Sequence, residues 1–69
     1  MTLPQLVARN LKRTRVESLL SQEDLAEKAK LSVSYISMLE RGQRSPPLDT
    51  LEILARALRV TPTELLRAA

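Results

Sequence analysis

Apolar residues along this chain recur at helical rather than strand spacing. No period-two alternation is sustained, and no Asn-Gly or Asp-Gly pair marks a hairpin. The apolar positions instead fall three and four residues apart in five short segments, divided by capping and breaking residues. The first runs from about Pro4 to residue 16, with Leu3, Val7, Leu11 and Thr14 facing inward. The second opens at Ser21, whose hydroxyl can cap the backbone N–H of Asp24 while Asp24 reciprocates, a variant of the capping box. Its inner stripe is Leu25, Ala26 and Ala29. Ser32 caps a third helix with Tyr35, Ile36 and Leu39 inward, and Gly42 ends it where the chain needs positive φ.

The stretch "QRSPP" cannot be helical and predicts a loop. A fourth helix, Leu48–Leu58, buries Leu51, Leu54, Ala55 and Leu58. "TPTE" combines a capping threonine, a proline at the first helical position and a glutamate at the third, so Thr61 starts a fifth helix running to the chain end. With no internal repeat and no linker, residues 1–69 are expected to form a single all-α domain.

Helices two and three are joined by about three residues, Lys30, Leu31 and Ser32. Two short serine-capped helices so tightly connected describe a helix-turn-helix over about residues 21–41, with small Ala26 and Ala29 allowing close approach at the crossing. A generic helical hairpin fits the same geometry. The outward positions of helix three, Val33, Ser34, Ser37 and Met38, carry no charge, an unusual exposed face for a basic protein.

Composition narrows the function. The chain has 69 residues, of which 43% are hydrophobic, enough for one small core. It contains neither cysteine nor histidine, which removes disulfides, the commonest metal ligands and the usual general bases and nucleophiles. No cofactor or metal is expected, and an enzyme is the weakest reading: only Glu23, Asp24 and Glu27 cluster, on a solvated face. No apolar run approaches the roughly 20 residues that span a bilayer, and no signal-peptide core is present, so a cytoplasmic protein without membrane contact is expected. The net charge is +3. Arg9, Lys12, Arg13 and Arg15 against Glu17 place the whole excess in the first helix, which suits a polyanionic partner. One tyrosine is the only aromatic residue, so no stacking platform for single strands can be built, and duplex DNA is favoured.

The segment "LSQEDLAEKAKLSVSYISMLERGQRSP" closely resembles the phage-repressor and Cro-like (Xre-type) helix-turn-helix family. "LDTLEILARALRVTPTELL" resembles the fourth and fifth helices of that family. The resemblance implies a compact five-helix, lambda-repressor-like DNA-binding domain with helix three in the major groove. It gives base-reading positions to Val33, Ser34 and Met38, with Ser37 a nearby candidate. Short and apolar side chains there permit close approach, hydroxyl contacts and packing on thymine methyls. It gives phosphate contacts to Gln22, Ser32, Arg41, Gln43, Arg44 and Ser45, and an ion pair between helix one and the end of helix three to Arg15 and Glu40. Three positions depart from the family pattern. Leu19 and Lys30 stand where glycine is common, so those turns are either strained or closed by another geometry. Thr14 stands at a usually apolar core position and can bond back along helix one.

The reading that follows is a sequence-specific transcriptional regulator acting as a homodimer on a palindromic double-stranded operator. Small members of the family include restriction-modification controllers and Cro-like switches, and the controller is the preferred context. Leu65 and Leu66 point to different sides of helix five, so one fills the core while the other is a candidate dimer contact. Glu23 and Glu27 match the acidic face with which some family members contact RNA polymerase, though solubilising charge favoured near a helix start is the simpler explanation. The alternative class is an antitoxin-type protein binding both a partner protein and its own operator.

Overall fold

Hydroxyl groups start three of the helices in the computed structural model, which describes residues 1–68. Thr2 caps α1 (Leu3–Glu17), with its hydroxyl accepting from the Gln5 N–H at 3.3 Å and the Gln5 side chain accepting from the Thr2 N–H at 2.9 Å. Ser21 and Asp24 form the same reciprocal box at the start of α2 (Gln22–Ala29), at 2.9 and 3.0 Å. The Ser21 backbone N–H, then its hydroxyl and the nearby Lys28 ammonium, hold the Asp24 carboxyl below the usual carboxylate range. Ser32 accepts from the Tyr35 N–H at 3.1 Å to open α3 (Val33–Glu40). The fourth helix, α4 (Leu48–Leu58), starts after Pro47 without a side-chain cap. No strand occurs among the described residues.

The expected fifth α-helix is not formed. Pro62–Leu66 is a 3-10 helix, and the expected continuation to the chain end reaches Ala69, which lies outside the described residues. The hydrogen bonds give the reason. The Glu64 N–H, the donor that the Thr61 hydroxyl was expected to cap, bonds instead to the Thr61 carbonyl at 3.0 Å in the tighter winding. The Thr61 hydroxyl lies 3.0 Å from that of Thr63, and Glu64 pairs with Arg67 at 3.4 Å. At the other end, Asn10 Nδ2 donates to the carbonyls of Leu65 at 3.1 Å and Arg67 at 2.7 Å. Those carbonyls serve a side chain of α1, and the segment stops.

Four helix ends close through a left-handed residue, and only one of them is glycine. Leu19, Lys30, Gly42 and Arg59 have φ of 62°, 58°, 73° and 60°. In each case the following N–H reaches back five residues: Leu20 to Arg15, Leu31 to Ala26, Gln43 to Met38 and Val60 to Ala55. The turns at Leu19 and Lys30 are therefore the strained kind. The strain is offset by what comes next, because Leu20, Leu31 and Val60 pack against the core. Leu19 itself is 90% exposed and contributes nothing in return. Leu19→Gly should accordingly stabilise the protein by about 0.5–1 kcal/mol, raising the melting temperature by several degrees. A fall in melting temperature would show that the leucine has a contact of its own.

The core is Leu11, Leu25, Ile36, Leu39, Leu54 and Leu65, all fully buried, extended by Val7, Ala26, Ala29, Leu51, Ala55 and Leu58. It sits where α1 meets α3 and the 3-10 segment, while α2 packs on α3 and α4. Thr14 is buried at its core position, and its carbonyl accepts from the Ser18 hydroxyl at 2.8 Å. Leu3 was expected inside and is 67% exposed. The capping box at Thr2 starts α1 at Leu3 itself, so this residue belongs to a first turn that overhangs the core.

Candidate nucleic-acid interface

Glu40 is the hub that sets α3 against its neighbours. Its side chain is 3% exposed and receives Arg15 Nε at 2.6 Å and Nη2 at 3.1 Å, a two-pronged pair from α1. Gln22 Nε2, from the first turn of α2, donates to Glu40 Oε1 at 3.0 Å. Arg15 Nη1 donates to the Leu20 carbonyl at 2.7 Å, so the guanidinium also clamps the turn before α2. Three elements thus meet on one carboxylate. The angle at which α3 is presented follows from these bonds and from the burial of Ile36 and Leu39 on its inner face.

On the outer side, Val33, Ser34, Ser37 and Met38 of α3 line one open depression of about 440 Å³ with Gln22 and Arg41. Its floor is uncharged. Gln22 adds an amide to its lining and Arg41 a guanidinium. Val33 and Ser34 are exposed, whereas Ser37 and Met38 are half-buried within the depression. Gln22 spends one amide hydrogen on Glu40 and retains a second, together with its carbonyl oxygen, for a ligand.

The remaining rim residues are held rather than loose. Arg41 Nη1 donates to the Ser37 hydroxyl and Nη2 to Gln43 Oε1 at 3.1 Å, tying the last turn of α3 to the loop after it. The Arg44 guanidinium lies 5.9 Å from the centre of the Tyr35 ring. Ser32 uses its hydroxyl oxygen to cap α3, which leaves its O–H proton free to donate. Gln43, Arg44 and Ser45 are exposed and lie outside the depression. Glu23 and Glu27 are exposed on α2 beyond it.

The helix pair at residues 22–40 and the elements packed around it are shared with known proteins. A profile described as helix-turn-helix matches residues 11–65, most of the chain. The chain belongs to the helix-turn-helix family. An uncharacterized HTH-type transcriptional regulator of Sinorhizobium fredii is 43% identical over 65 residues, covering 94% of this chain and 84% of that protein. The control protein C.SmaI of Serratia marcescens is 41% identical over 66 residues, covering 96% and 79%. The crystal structure of the restriction-modification controller protein C.AhdI from Aeromonas hydrophila superposes with a TM-score of 0.87 at 39% identity, over 90% of this chain and 94% of that one.

Within this helix-turn-helix protein, the two adjacent leucines of the 3-10 segment differ in burial. Leu65 is fully buried, so it is a core residue and not a candidate dimer contact; Leu66 is 39% exposed. Leu66 lines an apolar groove of about 220 Å³ with Leu3, Pro4, Val7, Ser45, Pro46, Leu48 and Leu51. Sequence reading overlooked Leu3 and Leu48 as part of this surface. It also overlooked Asn10, which anchors the segment carrying Leu66. Both had signals: an apolar residue just after each break, and a lone asparagine on the apolar stripe of α1.

Proposed function

We propose that this protein is a sequence-specific transcriptional regulator that binds duplex DNA as a homodimer on a palindromic operator, with α3 in the major groove. The observation that carries the reading is the depression lined by Val33, Ser34, Ser37, Met38, Gln22 and Arg41. Its uncharged floor suits base edges and thymine methyls, and the polar groups at its edge suit phosphates, which fix register without reading sequence. Gln22 sits at a helix N-terminus, where the free N–H groups also favour an anion. The relatives, an HTH-type transcriptional regulator, a control protein and a restriction-modification controller protein, support the same reading and make a controller the preferred context.

The groove around Leu3, Leu48 and Leu66 is the proposed seat of the second copy. Each leucine would bury apolar surface worth about 1.5–3 kcal/mol at most, so the free dimer is weak and DNA strengthens it. Two reading helices must stand about 34 Å apart to enter successive major grooves. The body measures 28 × 21 × 21 Å, so the helices must lie outboard of the two centres. Pro46 and Pro47 stiffen the loop between α3 and this groove, which favours one fixed spacing. Glu23 and Glu27, beside Gln22 on α2, then face along the DNA toward a polymerase bound next to the operator.

Selection of bound duplexes from a random pool tests the proposal. Paired half-sites one helical turn apart are expected; a pool without enrichment ends it. Met38→Ala should cost about 1–3 kcal/mol on the selected site while hardly changing affinity for random DNA. Equal losses on both would remove α3 as the reader. Arg44→Ala should weaken all duplexes alike and lower the slope of log affinity against log salt by roughly 1. An unchanged slope would leave the guanidinium on Tyr35 and away from phosphate.

A further inference from the structure

A second cleft lies between the C-terminal ends of α2 and α4, away from the reading face. It measures about 500 Å³, and its cations are Lys28 and Lys30 from the α2 end and Arg56 and Arg59 from the α4 end. Its floor is apolar, made by Ala29, Ile53 and Ala57, with Ile53 37% exposed. No carboxylate among the described residues lines it. Among the described residues, none of the four cations takes part in an ion pair. Lys28 is one turn from Asp24, and Glu52, one turn before Arg56, lines the neighbouring depression instead.

Basic residues at helix C-termini ordinarily answer the macrodipole, and Lys28 and Arg56, in the last turns, suffice for that. Lys30 and Arg59 are different. They hold φ of 58° and 60°, a conformation that glycine adopts freely and that costs a residue with a Cβ. Two strained positions, far apart in sequence, each place a long cation on the same cleft.

We propose that this cleft binds an acidic peptide segment of a partner protein, with one large apolar side chain on its floor and carboxylates on its basic rim. Four like charges around an apolar floor repel one another until an anion arrives. The floor distinguishes a peptide from a nucleic acid, because a sugar-phosphate backbone has nothing to place on Ala29, Ile53 and Ala57. The cleft shares no residue with the reading depression. It lies at the opposite end of the eight-residue α2 from Gln22, about 12 Å along the helix axis. A partner held there leaves α3 free for DNA, so the proposal stands or falls apart from the DNA-binding reading.

The test is an amide chemical-shift titration of the full chain with a synthetic peptide of glutamates around a single leucine, at low ionic strength. Shifts should concentrate in residues 28–30 and 53–59, and replacing the leucine of the peptide by serine should weaken them. In a Lys30→Gly/Arg59→Gly double variant the peptide should bind at least tenfold more weakly, while the melting temperature holds or rises because glycine is at ease at both positions. Shifts on the α3 face, no localised shifts, equal binding of the serine peptide, or undiminished binding to the double variant would each overturn the proposal. So would a double variant that loses affinity for random-sequence duplex with a salt slope lower by roughly 2, since the cleft would then be a phosphate site.

Discussion

Leu65→Asp is expected to unfold the protein, and Leu66→Asp to leave it folded while abolishing the proposed pairing. The two residues are neighbours on one 3-10 segment, yet their surroundings are opposite. Leu65 is fully buried between α1 and α4, so a carboxylate there loses the transfer energy of the leucine and adds an uncompensated buried charge. Together these cost more than about 4 kcal/mol, against a total stability of about 3–10 kcal/mol for a chain this size. No rearrangement of the segment can spare it, because Asn10 holds the Leu65 and Arg67 carbonyls. Leu66, half-exposed in the groove with Leu3 and Leu48, meets water either way in the monomer. Its replacement should change the melting temperature by only a few degrees while removing the proposed dimer and, with it, cooperative operator binding. Sedimentation of both variants beside their melting curves decides the matter. A folded Leu66→Asp dimer would move the interface elsewhere.

The local signals in the chain were strong enough to reach most of this architecture. Ser21 and Ser32 cap helices where expected, and Leu25, Ala26, Ala29, Leu51, Leu54, Ala55 and Leu58 are buried as their spacing predicts. These are features of single turns and single faces, and such features are written within a few residues of each other. A cap at Thr2–Gln5 was equally legible in "TLPQ" and places Leu3 outside the core. Arg59 precedes Val60 as Lys30 precedes Leu31, a left-handed residue followed by an apolar one, so the third strained turn had a visible precedent. The 3-10 winding of Pro62–Leu66 is another matter. Its end is held by Asn10, 55 residues before Leu65, and no periodicity near "TPTELL" contains that bond. For the candidate interface, the uncharged α3 face was visible in the sequence. The basic cleft was not, because Lys28, Lys30, Arg56 and Arg59 converge only once α2 and α4 have packed.

Glu40→Ala should cost about 3–5 kcal/mol, most of the stability available to a domain of this size. The argument lies in what the substitution leaves behind. Glu40 is 3% exposed and Arg15 11%, so the guanidinium would remain largely out of water with only the Leu20 carbonyl as partner. Gln22 would lose its acceptor as well, and the bond joining α2 to the end of α3 would go with it. An exposed pair would be worth about 0–1 kcal/mol, so the measured loss separates a buried hub from surface decoration. Replacing both partners, Arg15→Met with Glu40→Leu, should be far less costly than Glu40→Ala alone, because no buried charge is then stranded. If the double variant folds, its DNA binding reports the second role of the hub. It should bind random duplex nearly as well as before but discriminate its operator poorly, since α3 would no longer be held at one angle to α1 and α2. Chemical denaturation of the two variants beside the parent protein, followed by anisotropy titrations on cognate and random duplexes, gives both answers. A Glu40→Ala loss below about 1 kcal/mol would mean that water reaches the pair and that burial of Ile36 and Leu39 alone orients the reading helix.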